Sequence, residues 1–224
     1  MKDLAAREGL LATFIGKPWN DDEGSGFHLH LSLCDDDGKT LMNDEGGPEG
    51  ISEVAHHLIA GLLEHSPALM AFFNPTTNAY RRIHPEALVP TLVSWGHDNR
   101  LTLARVPRER GNATRVEFRV GDGAANPYLV VAGALFAGLD GIRRKLEPPA
   151  PIEGLIYEHP DVEAMTPLPN TFEAALAALE ADEYLTNAMG TELVRVFRVN
   201  KDAELARARS WATDWEFREY THHL

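Results

Sequence analysis

The chain has 224 residues, 44% of them hydrophobic, enough apolar content for an ordinary buried core in one large domain or two small ones. Lysine and arginine number 21 against 34 aspartates and glutamates, a formal charge of -13 that excludes a broad nucleic-acid footprint or adsorption to anionic membrane. Anionic ligands would therefore need local cations, and eight arginines do fall between Arg81 and Arg119.

Residues 1–10 read as the end of a helix stopped by Gly9, with no apolar signal core. An apolar stretch over 10–15 and a Gly/Pro/Asp-rich loop over 16–26 follow. From Gly26 to Leu33, His28, His30 and Ser32 alternate with Phe27, Leu29, Leu31 and Leu33, the period of a strand with one buried face. Cys34 is the only cysteine, which rules out an intrachain disulfide and a thiolate zinc cluster and predicts a reducing cytoplasm with Cys34 as a buried free thiol. Asp35-Asp36-Asp37 begins a solvated turn, and residues 51–73 form a helical pattern with Val54, Leu58, Leu62 and Leu63 on one face and a half-solvated His56-His57 pair.

The segment 82–95, with Pro85 and Pro90, predicts a loop feeding a strand over 101–106. Residues 108–114 connect it to a second patterned strand, in which Arg115, Glu117 and Arg119 alternate with Val116, Phe118 and Val120. Asn126-Pro127, a cap residue before a first-turn proline, opens an apolar helix through about residue 146, ended by Pro148, Pro149 and Pro151. Residues 171–179 and 192–209 read as helices and 211–224 as an aromatic tail, and no segment reaches the length of a membrane span. Trp95 and Tyr128 are assigned to the core. The fold class is α+β, with an antiparallel sheet whose ligand-bearing face is backed by helices.

The polar faces of the two strands carry the chemistry. His28 and His30, about 7 Å apart along one strand, are either a metal-binding pair or two half-exposed structural histidines. Gly24 and Gly26 just before them remove side chains where a ligand would meet the backbone. Arg115, Glu117 and Arg119 are either a salt-bridge ladder or a face that holds a divalent ion through the carboxylate and anionic groups through the arginines. Arg82, Arg100 and Arg105 add more guanidiniums than a ladder needs. Arg100 and Arg105 have opposite strand parity, so one of them lies at the strand edge or beyond a bulge.

The segments Ala12-Thr13-Phe14-Ile15-Gly16-Lys17-Pro18, Gly24 to Leu33, Asn74-Pro75-Thr76-Thr77-Asn78-Ala79-Tyr80-Arg81-Arg82, Asp98-Asn99-Arg100, Arg115 to Arg119 and Asn126-Pro127-Tyr128-Leu129 together resemble the glutamine synthetase family, in the C-terminal part of its catalytic domain. The resemblance covers nearly the whole chain, 1–224. It implies ATP-dependent phosphorylation of the glutamate side chain, followed by displacement of the phosphate by ammonia or a small amine, with ATP and Mg or Mn as cofactors. It implies that His28 and Glu117 ligate the metal and that His30 and Ser32 contact ATP. By the same resemblance, Arg82 holds the glutamate side chain and acyl phosphate, Arg100 the transferring phosphoryl group, Arg105 and Arg115 the nucleotide, and Arg119 the glutamate α-carboxylate. Gly24 would meet the amino acid through its backbone.

Three departures qualify the resemblance. Glu23 stands where the family has Asn before Gly-Ser-Gly, and Leu88, in Glu86-Ala87-Leu88-Val89-Pro90, replaces the acid that takes a proton from ammonium. Loss of that charge favours a bulkier, less polar amine and a γ-glutamyl-amine ligase over a glutamine synthetase using ammonia. The family's remaining metal-binding glutamates and its small N-terminal β-grasp domain have no counterpart here, so the expectation is half of a metal site, with activity requiring the other half. A non-catalytic nucleotide- or glutamate-binding domain is the alternative outside catalysis. At full length the family forms homo-oligomeric rings, and neither nucleic acid nor membrane is expected as a partner.

Overall fold

The computed structural model describes residues 1–84 and 88–222. Eight α-helices and four strands alternate irregularly among these residues: α1 (Lys2–Arg7), β1 (Gly26–Leu31), α2 (Glu53–Glu64), α3 (Ser66–Phe73), β2 (Trp95–His97), β3 (Ala104–Val106), β4 (Val116–Asp122), α4 (Pro127–Arg144), α5 (Phe172–Ala181), α6 (Glu183–Met189), α7 (Thr191–Arg209) and α8 (Asp214–Tyr220). The sheet order is β1-β4-β3-β2.

β4 pairs antiparallel with both β1 and β3, as the alternating patterns require, but β2 joins β3 in parallel. The fold class is thus α+β as expected, with a parallel edge added to the antiparallel sheet. β2 was invisible to periodicity because its three residues, Trp95-Gly96-His97, are too few to alternate. The strand expected over 101–106 is confined to Ala104–Val106, because Thr102 folds its hydroxyl onto the Asn99 carbonyl at 2.9 Å and turns the preceding backbone out of the ladder.

The helix expected over 51–73 is two helices that break at His65, with Pro67 in the first turn of α3, where a missing N–H costs nothing. Ser52 caps α2 by accepting from the Ala55 N–H, and Asn126 caps α4 by accepting from the Tyr128 N–H. α2 and α4 pack backbone to backbone: a Cβ on Gly61 would lie 2.2 Å from the Ala137 carbonyl oxygen, so only glycine permits this crossing. α4 ends at Arg144, ahead of the prolines, and the aromatic tail contains α8.

Val116, Phe118 and Val120 point from β4 into the core, where Phe118 meets Phe73 of α3 edge-on at 5.1 Å. Three side chains lie elsewhere than expected. Cys34 is exposed, because β1 ends at Leu31 and the thiol sits at the start of the 35–38 turn. Tyr128, in the first turn of α4, is 83% exposed rather than in the core. His57 is buried rather than half solvated, with Nδ1 2.8 Å from the Leu146 carbonyl past the end of α4. Trp95 is in the core as expected and donates from Nε1 to the Pro149 carbonyl at 2.6 Å.

Candidate active site

The site lies on the sheet face turned away from α3. His30 is opposite Glu117 in the β1–β4 pair, and between the Phe27 and Leu29 pairings β4 carries one extra residue. A bulge of this kind re-aims the neighbouring side chains. His28 Nδ1 comes to 2.9 Å from Glu117 Oε1, and His30 Nε2 to 3.8 Å from the same oxygen.

β3 contributes Arg105, which pairs with Glu117 in register and donates from Nη1 to Oε2 at 2.8 Å. Two positions along β4, Arg119 donates from Nη1 to Oε1 at 3.0 Å. Two guanidiniums and an imidazole therefore converge on one carboxylate that is only 4% exposed. Burial works against the charged carboxylate, but the Arg105 hydrogen bond and the charges of Arg119 and His28 outweigh it and hold Glu117 below the usual carboxylate range. Burial, reinforced by Arg119, pushes the His28 imidazole down and so favours the neutral ring, whose lone pair a metal needs. Among the described residues no three His, Cys, Asp or Glu side chains cluster as a metal centre. His28 and Glu117 fit a divalent ion as two donors of a larger set, not as a complete cage.

The other residues of the two polar strand faces fall into place around this cluster. Arg115 donates from Nε to His30 Nδ1 at 3.2 Å and from Nη1 to the Ala113 carbonyl at 2.9 Å. Ser32 is exposed just past the end of β1. Arg100 lies in the turn before β3, which resolves its parity conflict with Arg105, and its carbonyl accepts from Arg119 Nη2 at 3.0 Å.

Arg82 sits at the opposite end of the β1–β4 pair. It is 5% exposed and donates from Nε to Asp122 Oδ2 at 3.0 Å and from Nη2 to the Gly121 carbonyl at 2.9 Å and to Asn74 Oδ1 at 3.3 Å. Gly121 is four positions from Glu117, so the two clusters are separated by about 13 Å of strand. The lack of a side chain at Gly24 makes room for this arginine: a Cβ there would lie 2.5 Å from Arg82 Cδ. Arg82, Gly24, Lys17, Asp22, Glu23 and Val89 line a cleft of about 390 Å³. Leu88, next in sequence to Val89, is 68% exposed with φ 53, while Glu86 and Ala87 of the same motif lie outside the described residues.

Two residues without an assigned role complete these networks. Asp122, fully buried, is the counter-ion of Arg82. Asp98 binds two arginines, Arg105 Nη2 through Oδ1 and Arg108 Nε through Oδ2. Its signal was present in the sequence, since Asp98 is one of only four acids in the arginine-rich stretch from Arg81 to Arg119.

The sequence profile of the family described as "Glutamine synthetase, catalytic domain" matches residues 1–220. The chain is similar to the glutamine synthetase of Methanocaldococcus jannaschii, 39% identical over 98% of this chain and 49% of the relative. It is also similar to that of Frankia alni, 45% identical over 81% of this chain and 39% of the relative. A solved structure titled "GmaS/ADP complex-Conformation 1" superposes with TM-score 0.88 at 37% identity, covering 98% of this chain and 51% of that one. "Apo GmaS without ligand" superposes with TM-score 0.86, covering 99% and 50%. The chain thus spans about half the length of the relatives it matches.

Proposed function

The chain belongs to the glutamine synthetase family in its catalytic domain, and from that premise we propose that it serves ATP-dependent ligation of an amine to the γ-carboxylate of glutamate through γ-glutamyl phosphate. The observation that carries the reading is the convergence of His28, Arg105 and Arg119 on the buried Glu117. Phosphoryl transfer asks mainly for fixed cations around a charged, loose transition state, and this sheet face presents them without needing an acid-base residue.

In this reading Arg105, Arg115, His30 and Ser32 hold the nucleotide and Arg100 the transferring phosphoryl group. Arg119 holds the glutamate α-carboxylate, and Arg82 the side chain and acyl phosphate. Asp122 and Asn74 keep Arg82 in one orientation. His28 and Glu117 would hold Mg or Mn, which supplies charge neutralisation at the phosphates when bound. Because the chain covers half of its relatives' length, the reaction is assigned to the unit that this half forms with the residues those relatives carry in their other half, in a homo-oligomer.

Leu88, where the resemblance expects a carboxylate, supports an organic amine over ammonia. The test is incubation with ATP, glutamate and Mg, supplied in turn with ammonia, methylamine and longer mono- and polyamines, with the product identified by mass spectrometry. A γ-glutamyl amide of one amine supports the reading. Glutamine as the predominant product would instead assign ammonia as the substrate.

A further inference from the structure

Arg105 is gripped from both ends. Its Nη1 donates to Glu117 Oε2 at 2.8 Å, and its Nη2 donates to Asp98 Oδ1. Its Nε is buried with no hydrogen-bond partner. The second oxygen of Asp98 binds Nε of Arg108 at 2.5 Å, although Arg108 is otherwise 85% exposed.

Asp98 is itself held in an uncommon place. It follows β2 with φ 50, a left-handed conformation that costs little only for Gly, Asn and Asp, and its N–H donates to the Val106 carbonyl at 2.8 Å. The carboxylate is thereby anchored by the end of β3, the strand that carries Arg105. From these contacts we infer that Asp98 is a positioning residue: it fixes the Arg105 guanidinium against Glu117 in the orientation that receives the nucleotide phosphates, and it draws Arg108 to the same edge of the site.

This inference rests on the reading of Arg105 as a nucleotide contact, and the charge of Asp98 makes the two separable. A carboxylate beside a phosphate site repels the ligand, so if Asp98 were a bystander, Asp98→Asn would leave nucleotide affinity unchanged or raise it. If Asp98 positions Arg105, the same substitution lowers affinity although the site has become more positive. Asparagine keeps the shape of Asp98 and tolerates its left-handed backbone, so the variant's thermal midpoint should stay near that of the wild type.

The experiment is calorimetric titration of the full 224-residue chain with ADP and Mg, comparing wild type, Asp98→Asn, Asp98→Glu and Arg105→Gln. We expect Asp98→Asn to bind about fivefold or more weakly, in keeping with loss of one charged hydrogen bond, Asp98→Glu to recover part of the loss, and Arg105→Gln to bind at least as weakly as Asp98→Asn. Weak binding by Arg105→Gln together with wild-type or tighter binding by Asp98→Asn overturns the positioning role alone. Wild-type binding by Arg105→Gln, or no binding by the wild type, overturns the nucleotide reading of Arg105 and the positioning role together.

Discussion

A side chain at Gly24 and the side chain of Arg82 cannot coexist: a Cβ at position 24 would lie 2.5 Å from Arg82 Cδ and 2.9 Å from the Gly16 carbonyl oxygen. Arg82 could yield only by giving up its bonds to Asp122, Gly121 and Asn74, which fix its guanidinium. Gly24→Ala should therefore destabilise the chain by about 1–3 kcal/mol, the usual range for overpacking. Urea denaturation checks this, and an unchanged midpoint would show that the loop at 16–24 yields freely.

The Glu117 cluster sets a second expectation. Glu117→Gln keeps the shape but removes the charge that offsets Arg105 and Arg119. Substitutions one layer outside a metal's ligands already cost about 10–100-fold in affinity, so the Mg concentration for half-maximal ATP turnover should rise at least about tenfold. An unaltered Mg requirement would remove Glu117 from the metal.

Leu88 tests the acceptor. Exposed beside Val89, which lines the Arg82 cleft, it stands where the resemblance expects the negative charge that favours ammonium. Leu88→Glu should shift preference toward ammonia, measured as the ratio of kcat/KM for ammonia to that for the best organic amine, by about tenfold or more. An unchanged ratio would show that position 88 does not face the amine.

Far from the sheet, His65 sits at the break between α2 and α3 with a carboxylate on each ring nitrogen, Asp182 at 2.6 Å from Nδ1 and Asp140 at 3.0 Å from Nε2. Arg144 also donates to Asp140 at 2.7 Å, and the Tyr184 ring lies 5.3 Å away. A neutral imidazole has one N–H and satisfies one carboxylate, whereas the imidazolium satisfies both. Burial opposes the charge, but the hydrogen bonds to Asp182 and Asp140 prevail and raise the pKa above its ordinary 6.5. The imidazolium's contribution to stability is thus full below pH 6.5 and is lost as pH rises through the folded-state value. Chemical denaturation from pH 5.5 to 8.5 should show stability falling over that rise in the wild type and a flatter profile in His65→Gln. Parallel profiles would show that folding leaves the His65 pKa unchanged.

The sequence was most legible where pattern and chemistry coincide. Alternation in β1 and β4 exposed both faces of the sheet, Asn126-Pro127 announced the start of α4, and His28, His30 and Arg119 of the two strands meet at the Glu117 carboxylate. It was least legible where three-dimensional crossings decide. The close passage of Gly61 past α4 and the break at His65 leave no mark in hydrophobic periodicity, since both helices keep an apolar face across the junction. Asp122 looked like an ordinary polar residue, because its arginine partner lies 40 positions away and is brought to it only by the sheet.

The most direct test of the account is ADP release with ATP and Mg by the unit in which this chain is joined to the half that its relatives carry besides it, measured with and without glutamate and with and without the amine that gives the best turnover. The account predicts that ADP appears only when glutamate is present and is accelerated by the amine, as expected for an acyl phosphate that the amine consumes. ADP release indifferent to glutamate would contradict it.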